Sequence, residues 1–416
     1  MSIKKKFGYA TIRKPGAYSV TKVDNSGGVS FTSTDILMII GEAFAGKPGS
    51  SDGIQKFGAS QIGALVEKYG KGPIVDAALA ATRPASSSLI GGAGQILVYK
   101  TNASTQASLS VKEAGDVSPL LIIKDVLWGV SGNTISVSIA NGTNPLTQKV
   151  ISISKTGFTS ETLPQNAGQS QLLIRYTGNA TTATCTISGI SKNAKTLVTT
   201  LAGDQTDSSV NLNIPLENKT MKEIADYINA QLGYSCSLLN IASGSVVLAT
   251  DLDSISASNI KVDLNLYRIQ EEIKEIINNN SQYCEAELAS TPVVGLPKNI
   301  SSTFLSGGAQ GASSNTDFSS ALSKALSRDL NVIVPLISQD ASDDISLGPI
   351  FEGGFVTDAS SSYDIDSVIA GLKSHLLLRG QIKNRKEAMG FVGYRDKDKA
   401  DCFAKSANVA SELIQF

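Results

Sequence analysis

The sequence is short of the residues on which enzyme chemistry usually turns. It has one Trp and one His in 416 residues, and aromatics make up 6% of it. The one His, His375, lies beside Leu376-Leu-Leu378 with no candidate Cys or Ser partner, so a structural helix residue is expected there and no catalytic residue is assigned. The four Cys, at 185, 236, 284 and 402, are far apart and form no C-x-x-C pair. That excludes the closely spaced thiolates of zinc and redox motifs and leaves isolated, small, buried hydrophobes. No apolar run approaches the ~20 residues of a membrane-spanning helix. Residues 1–10 are basic but have no apolar core behind them, so no signal peptide is expected and the protein reads as made and kept in a cytoplasm. A formal charge of −1 argues against nucleic acid as a partner. No cofactor and no metal ion is expected.

What is present is a 41% hydrophobic fraction, enough for cores in roughly two or three domains, and a Ser-, Thr-, Asn- and Gly-rich background that suits β-rich, loop-rich structure. Charge is unevenly placed. Lys4, Lys5, Lys6, Arg13 and Lys14 open the chain without an acid; residues 371–400 hold eight Lys/Arg against three Asp/Glu; residues 201–260 hold seven Asp/Glu against two Lys. Such clusters are ordinarily solvated faces. Between copies of one subunit they would set register, and Lys383, Arg385 and Lys386 are the candidate assembly patch.

The organising stretch is 304–394. The glycine-rich turn Phe304-Leu-Ser-Gly-Gly-Ala-Gln-Gly311 precedes a helix pattern through Phe318, Leu322, Ala325, Leu326 and Leu330. Asn331-Val-Ile-Val-Pro-Leu-Ile337 then reads as a buried strand. A second helix carries Ile365, Val368, Ile369, Leu372 and Leu376, with Asp364 as N-cap, and Gly390-Phe-Val-Gly-Tyr394 as a further strand. This is an α/β pattern with a largely parallel sheet. Residues 30–100 give another: a strand at Asp35-Ile-Leu-Met-Ile-Ile-Gly41, helical segments at 61–69 and 73–82, and a strand at Gln95-Ile-Leu-Val-Tyr99. Between them, 101–290 alternates apolar and polar residues in short strands, and adds a helix opened by the capping box Thr220-Met-Lys-Glu223 and another through Ile269, Ile273, Ile276 and Ile277. The expected fold class is α/β (α+β) with inserted β-rich domains, multi-domain: an arm at 1–22, core halves at 23–104 and 291–416, a β-rich insert at 105–200 and an α+β insert at 201–290. In the arm, Phe7, Tyr9, Ile12, Tyr18 and Val20 are scattered among Lys and Gly, as in a strand that adds to a neighbour's sheet.

One stretch points to a different chemistry. Gly41-Glu-Ala-Phe-Ala-Gly46-Lys47 matches seven positions of a P-loop after a strand, but Pro48 stands where the Mg²⁺-binding hydroxyl belongs, and residues 49–53 show no helix pattern. A surface loop is the expected alternative to nucleotide binding. Gly91-Gly-Ala-Gly94 precedes a strand instead of following one, so it is no dinucleotide loop.

Several of these stretches together resemble contractile tail sheath proteins. Lys14-Pro-Gly-Ala-Tyr18 is similar to that family's arm motif, and Ile39-Ile-Gly41 with Gly46 and Pro48 to its first core strand and loop. Trp128-Gly-Val-Ser-Gly-Asn133 with Ile135 and Val137 resembles its G-x-x-G-N-x-I-x-V segment. Leu305-Ser-Gly-Gly-Ala-Gln-Gly311 resembles its L-x-G-G-x-D-G turn, with Gln310 where the family carries an acid. The likeness extends to 379–393. It implies a structural subunit with no active site, polymerising with itself as stacked six-fold rings around an inner tail tube protein. Baseplate and tail terminator proteins would be its other partners. It implies contraction during genome ejection by a myovirus, in a virion tail assembled in the host cytoplasm, or the same role in a related injection machine such as an R-type bacteriocin. Rival readings are a tail terminator or baseplate protein, and a surface adhesin built from the Ser/Thr-rich block. Ala400, Phe403, Ala404, Ala407 and the stretch 410–414 read as a final helix with no strand after it, so a chain shortened at its C-terminal end is expected.

Overall fold

The computed structural model describes residues 36–84, 92–203, 206–241, 246–337, 363–381, 388–393 and 414–415, together with two short strands near the start. Those strands, β1 (Lys5–Phe7) and β2 (Ala10–Ile12), pair antiparallel with each other. Mixed helices and several small sheets make up the rest.

The core sheet has six strands. In chain order they are β3 (Ile36–Gly41), β4 (Gln55–Gly58), β5 (Gln95–Lys100), β20 (Val332–Pro335), β21 (Met389–Phe391) and β22 (Ile414–Gln415). In space the order is β22-β21-β20-β3-β5-β4, all parallel except β4 against β5. The two central neighbours, β3 and β20, come from distant parts of the chain. β3 is apolar along its length because both its faces are covered. Ile39 packs with Leu65, Tyr69, Ile74 and Ala78 of α2 (Ile62–Tyr69) and α3 (Pro73–Thr82). Met38 and Ile40, one residue out of phase, pack with Phe318, Leu322, Leu372 and Leu376 of α6 (Asn315–Ala325) and α7 (Ile365–Gly380). Pro73 stands at the first position of α3, where its missing N–H removes no bond. The Asp364 carboxylate accepts from Ser367 N at 3.1 Å and caps α7.

Three expectations change. Pro48 does precede a helix, the single turn α1 (Gly49–Asp52), whose Gly49 carbonyl accepts from Lys324 Nζ at 2.8 Å. A strand does follow the expected C-terminal helix: Ile414, assigned to that helix from its apolar spacing, pairs with Gly390 as part of β22. The helix itself lies outside the described residues. Last, the division expected at 200/201 falls inside β13 (Thr196–Ala202), because composition shifts there while the hydrogen-bonded sheet continues.

Two further modules lie between β5 and β20. The first contains β6 (Ser108–Lys112), β7 (Pro119–Asp125), β8 (Ile135–Asn141), β9 (Lys149–Lys155) and β10 (Glu161–Thr162). After a long excursion the chain returns to it with α5 (Ile269–Asn280), β18 (Cys284–Leu288) and β19 (Ile300–Phe304). Its strands form the sheets β18-β7-β6 and β10-β9-β8-β19 around one apolar core. The excursion is the second module: β11 (Leu172–Tyr176), β12 (Thr182–Ser188), β13, β14 (Asn213–Pro215), α4 (Met221–Asn229), β15 (Tyr234–Leu238), β16 (Ile255–Asn259) and β17 (Leu264–Leu266). It has its own core and the sheets β15-β11-β17 and β14-β13-β12-β16. Among the described residues no helix is long and apolar enough to cross a membrane.

Candidate functional site

The P-loop-like stretch after β3 has its amides turned inward. Ala43 N donates to Asn102 Oδ1 at 3.1 Å, Phe44 N to Lys71 O at 2.9 Å, Ala45 N to Tyr69 O at 3.0 Å and Gly46 N to Leu127 O at 2.6 Å. A phosphate cradle needs consecutive N–H groups pointing at the ligand. All four here are engaged by protein oxygens, and Lys47 Nζ lies 5.6 Å from the centroid of the Trp128 ring.

What the loop does instead is join the core sheet to the first module. Gly129 has φ +94°, and an added Cβ would stand 2.5 Å from Phe44 O; one on Gly308 would stand 2.5 Å from Gly129 O. Only glycines permit these approaches. Asn133 Nδ2 donates to Gly308 O at 2.8 Å and its Oδ1 accepts from Gly308 N at 2.9 Å. Three stretches singled out separately in the sequence, 41–48, 128–133 and 305–311, therefore meet at one place. Other residues that bind them together were not singled out. Asn102 is fully buried, and besides the Ala43 amide its Nδ2 donates to Ala43 O at 3.0 Å and Gln310 O at 2.8 Å. The Thr101 and Ser313 hydroxyls are 2.8 Å apart, and Thr105 N donates to Ala309 O at 2.9 Å. The outgoing and returning chains thus cross side by side. The available signal was the polar run Thr101-Asn-Ala-Ser-Thr105 directly after a buried strand, where composition changes.

Three charged groups are buried in this joint: Glu42, Lys100 and Asp125. Lys100, 1% exposed, donates from Nζ to Asn102 O at 3.0 Å and to the Ser104 hydroxyl. Burial brings its pKa down to about 7, with the Glu42 charge acting the other way. Burial raises Asp125 to about 6 although Ala107 N donates to its Oδ1 at 2.7 Å. Lys100 and Asp125 are both engaged by partners within the joint: the Asn102 carbonyl and the Ser104 hydroxyl for Lys100, and the Ala107 amide for Asp125.

A second buried base holds the far side of the core. Arg379, 0% exposed, donates through Nη1 to Ala325 O at 2.9 Å and Arg328 O at 3.1 Å, satisfying carbonyls at the end of α6. His375, one turn earlier on α7, is buried; desolvation and then the Arg379 charge lower its pKa to about 4. It lies on the helix expected there. Cys185, Cys236 and Cys284 are buried thiols, not disulfides, and burial pushes each up to about 12. Among the described residues no group of three or more His, Cys, Asp or Glu could hold a metal ion.

Of the arm residues, Phe7 and Ile12 fall in the paired strands β1 and β2, while Tyr9, Tyr18 and Val20 lie outside the described residues. Lys383, Arg385 and Lys386 lie outside them as well. One exposed sheet edge is unlike a soluble protein's usual edge. β19 (Ile-Ser-Ser-Thr-Phe) carries no charge and no proline, and Phe304 is 58% exposed.

No protein-family model matches the chain. Over 303 residues the chain is 27% identical to the tail sheath protein of Bacillus phage SP01, an alignment covering 71% of this chain and 49% of that protein. The chain thus spans about half the length of the curated relative it matches. Among solved structures, the sheath tail proteins of Desulfitobacterium hafniense and Listeria innocua superpose with TM-scores of 0.37 and 0.39 at 13% and 12% identity. They cover 90% and 86% of this chain, and this chain covers 52% and 48% of theirs. The resemblance to tail sheath proteins read from the sequence is shown by the curated relative.

Proposed function

We propose that this chain is the structural subunit of a contractile tail sheath. The observation that carries the reading is its similarity along 71% of its length to a phage tail sheath protein. In this reading the six-stranded sheet and its helices are the α/β core that packs against neighbours, and the two modules between β5 and β20 are insertions carried on it. Copies stack as six-fold rings around an inner tube, bounded by baseplate and terminator proteins. Head-to-tail contacts whose rotation does not close give such helical lattices. The whole subunit then swings as a rigid body between an extended and a contracted packing during genome ejection. The joint at 41–48, 101–105, 128–133 and 305–313 supports this, since it ties insertion to core with buried bonds.

The arm residues Phe7, Tyr9, Ile12, Tyr18 and Val20 keep neighbours connected through a shared sheet edge. Lys383, Arg385 and Lys386 face an acidic surface on a neighbour or on the tube and set register. The same subunit would serve an R-type bacteriocin or related injection particle. A P-loop nucleotide site is not supported, because its four amides are engaged. Electron microscopy of the purified protein, with immunogold labelling of whole tails, tests the proposal. Tubes or ringed arrays and label along the tail are expected. A chain that stays monomeric at high concentration, with label confined to the baseplate or tail tip, would overturn it.

A further inference from the structure

We infer that the two modules between β5 and β20 are two copies of one fold, the inner a circular permutation of the outer, and that the inner copy, residues 172–266, is an autonomous accessory module. The strand partners carry the argument. In the outer module β7 lies between β18 and β6, and in the inner one β11 lies between β15 and β17, every pair antiparallel. In the outer module β8 lies between β9 and β19, and β9 also pairs with β10. In the inner one β12 lies between β13 and β16, and β13 also pairs with β14. Matching β7 to β11 thus matches β8, β9, β10, α5, β18 and β19 to β12, β13, β14, α4, β15 and β16 in unbroken chain order.

The exception is β6, first in its module, whose counterpart β17 is last. The structure shows where the ring was opened. Ser306, just past β19, exchanges backbone hydrogen bonds with Ser108 at the start of β6, at 2.8 and 3.0 Å. The inner module closes that same gap covalently, through residues 260–263 between β16 and β17. The outer copy is therefore joined to the core at the point where the inner copy has a short loop.

The helices repeat in detail. Both read Ile-x-x-x-Ile-Asn, as Ile224, Ile228 and Asn229, and as Ile273, Ile277 and Asn278. Each Asn side chain makes a two-bond clamp on the third residue of the next strand. Asn229 bonds Cys236 N and O at 2.7 Å each; Asn278 bonds Ala286 N at 2.6 Å and O at 3.0 Å.

The inner copy also stands apart energetically. It has its own apolar core, and its ends lie together, with Gln171 N donating to Leu266 O at 2.8 Å. Adjacent ends are what a grafted domain requires. Its side-chain ties to the outer module gather at the first turn of α5. Lys192 meets Glu271 at 2.8 Å, and Asp253 accepts from Ile269 N at 2.8 Å and Gln270 N at 3.0 Å.

Two variants of the full chain test this by hydrogen–deuterium exchange. Ile187→Asp places a charge in the inner core; protection should fall at least about tenfold across 172–266 and stay within about twofold of the parent in the outer module and the core sheet. Replacing residues 172–266 with a Gly-Ser-Gly link should leave a soluble protein with the same protection elsewhere. Loss of protection throughout the chain in both variants would overturn the inference. Its accessory part rests on the assembly reading: the excised chain should polymerise as the parent does. A folded excised chain that fails where the parent succeeds refutes that part, whereas failure of both refutes the assembly reading and leaves the duplication standing.

Discussion

Replacing Asn102 with Ala is the most direct test of the joint between core and insertion. Asn102 is fully buried and its amide bonds Ala43 N, Ala43 O and Gln310 O at 3.1, 3.0 and 2.8 Å. Three net hydrogen bonds at roughly 0.5–1.5 kcal/mol each are lost, and the partners left behind are buried backbone groups that water reaches poorly. That desolvation moves the expected loss to about 3–5 kcal/mol. By contrast, Ser258→Ala removes one exposed hydroxyl bond, to Ser256 O, and should change stability by less than about 0.5 kcal/mol. Denaturant unfolding gives the magnitude. Because separate modules can unfold separately, exchange at the Ala43 amide identifies the transition that moved. A loss below about 1 kcal/mol with the Ala43 amide still protected would refute the idea that this side chain holds the two parts together.

Other outcomes follow from the same geometry. Gly129→Ala forces a side chain onto a positive-φ residue beside Phe44 O and should destabilise by more than about 1 kcal/mol in thermal unfolding. Thr220→Ala removes the cap of α4, where Glu223 N donates to Thr220 Oγ1, and should cost about 1 kcal/mol, with faster amide exchange confined to 172–266. The folded pKa of His375, about 4, lies below its unfolded value of 6.5, so its contribution is complete above pH 6.5 and is lost as pH falls through about 4. His375→Gln should flatten the stability profile between those limits; an unchanged acid limb would contradict it. Calorimetric titration with MgATP should give no saturable heat, and binding abolished by Lys47→Ala would reverse the account of residues 41–48.

Local features were legible because local physics makes them. The Pro73 helix start, the Asp364 cap, the Thr220-Glu223 box and the alternating strands at 135–139 and 172–176 need only neighbours in sequence. Partners were not legible. Periodicity says that Met38 and Ile39 face opposite ways, but not that β20 is what lies beside them. β4 was missed because four residues ending in glycine carry too little pattern. Ile414 fitted a helical stripe and sits in a strand, since a two-residue strand has no periodicity to read. At the joint the glycines were visible as motifs, while Asn102 and Thr105, which bond the two chains together there, look like ordinary loop residues until both chains are in place.

The pairing of β3 with β20 also sets a timetable for synthesis. Roughly 290 residues separate them, so at about 5–20 residues per second the apolar strand β3 leaves the ribosome about 15–60 s before that partner exists. The inner module can close first, once residue 266 has emerged, and the outer one next, when β19 arrives. Translation thus completes the chain from the inside outward, and the first strand of the core is among the last to be enclosed on both edges.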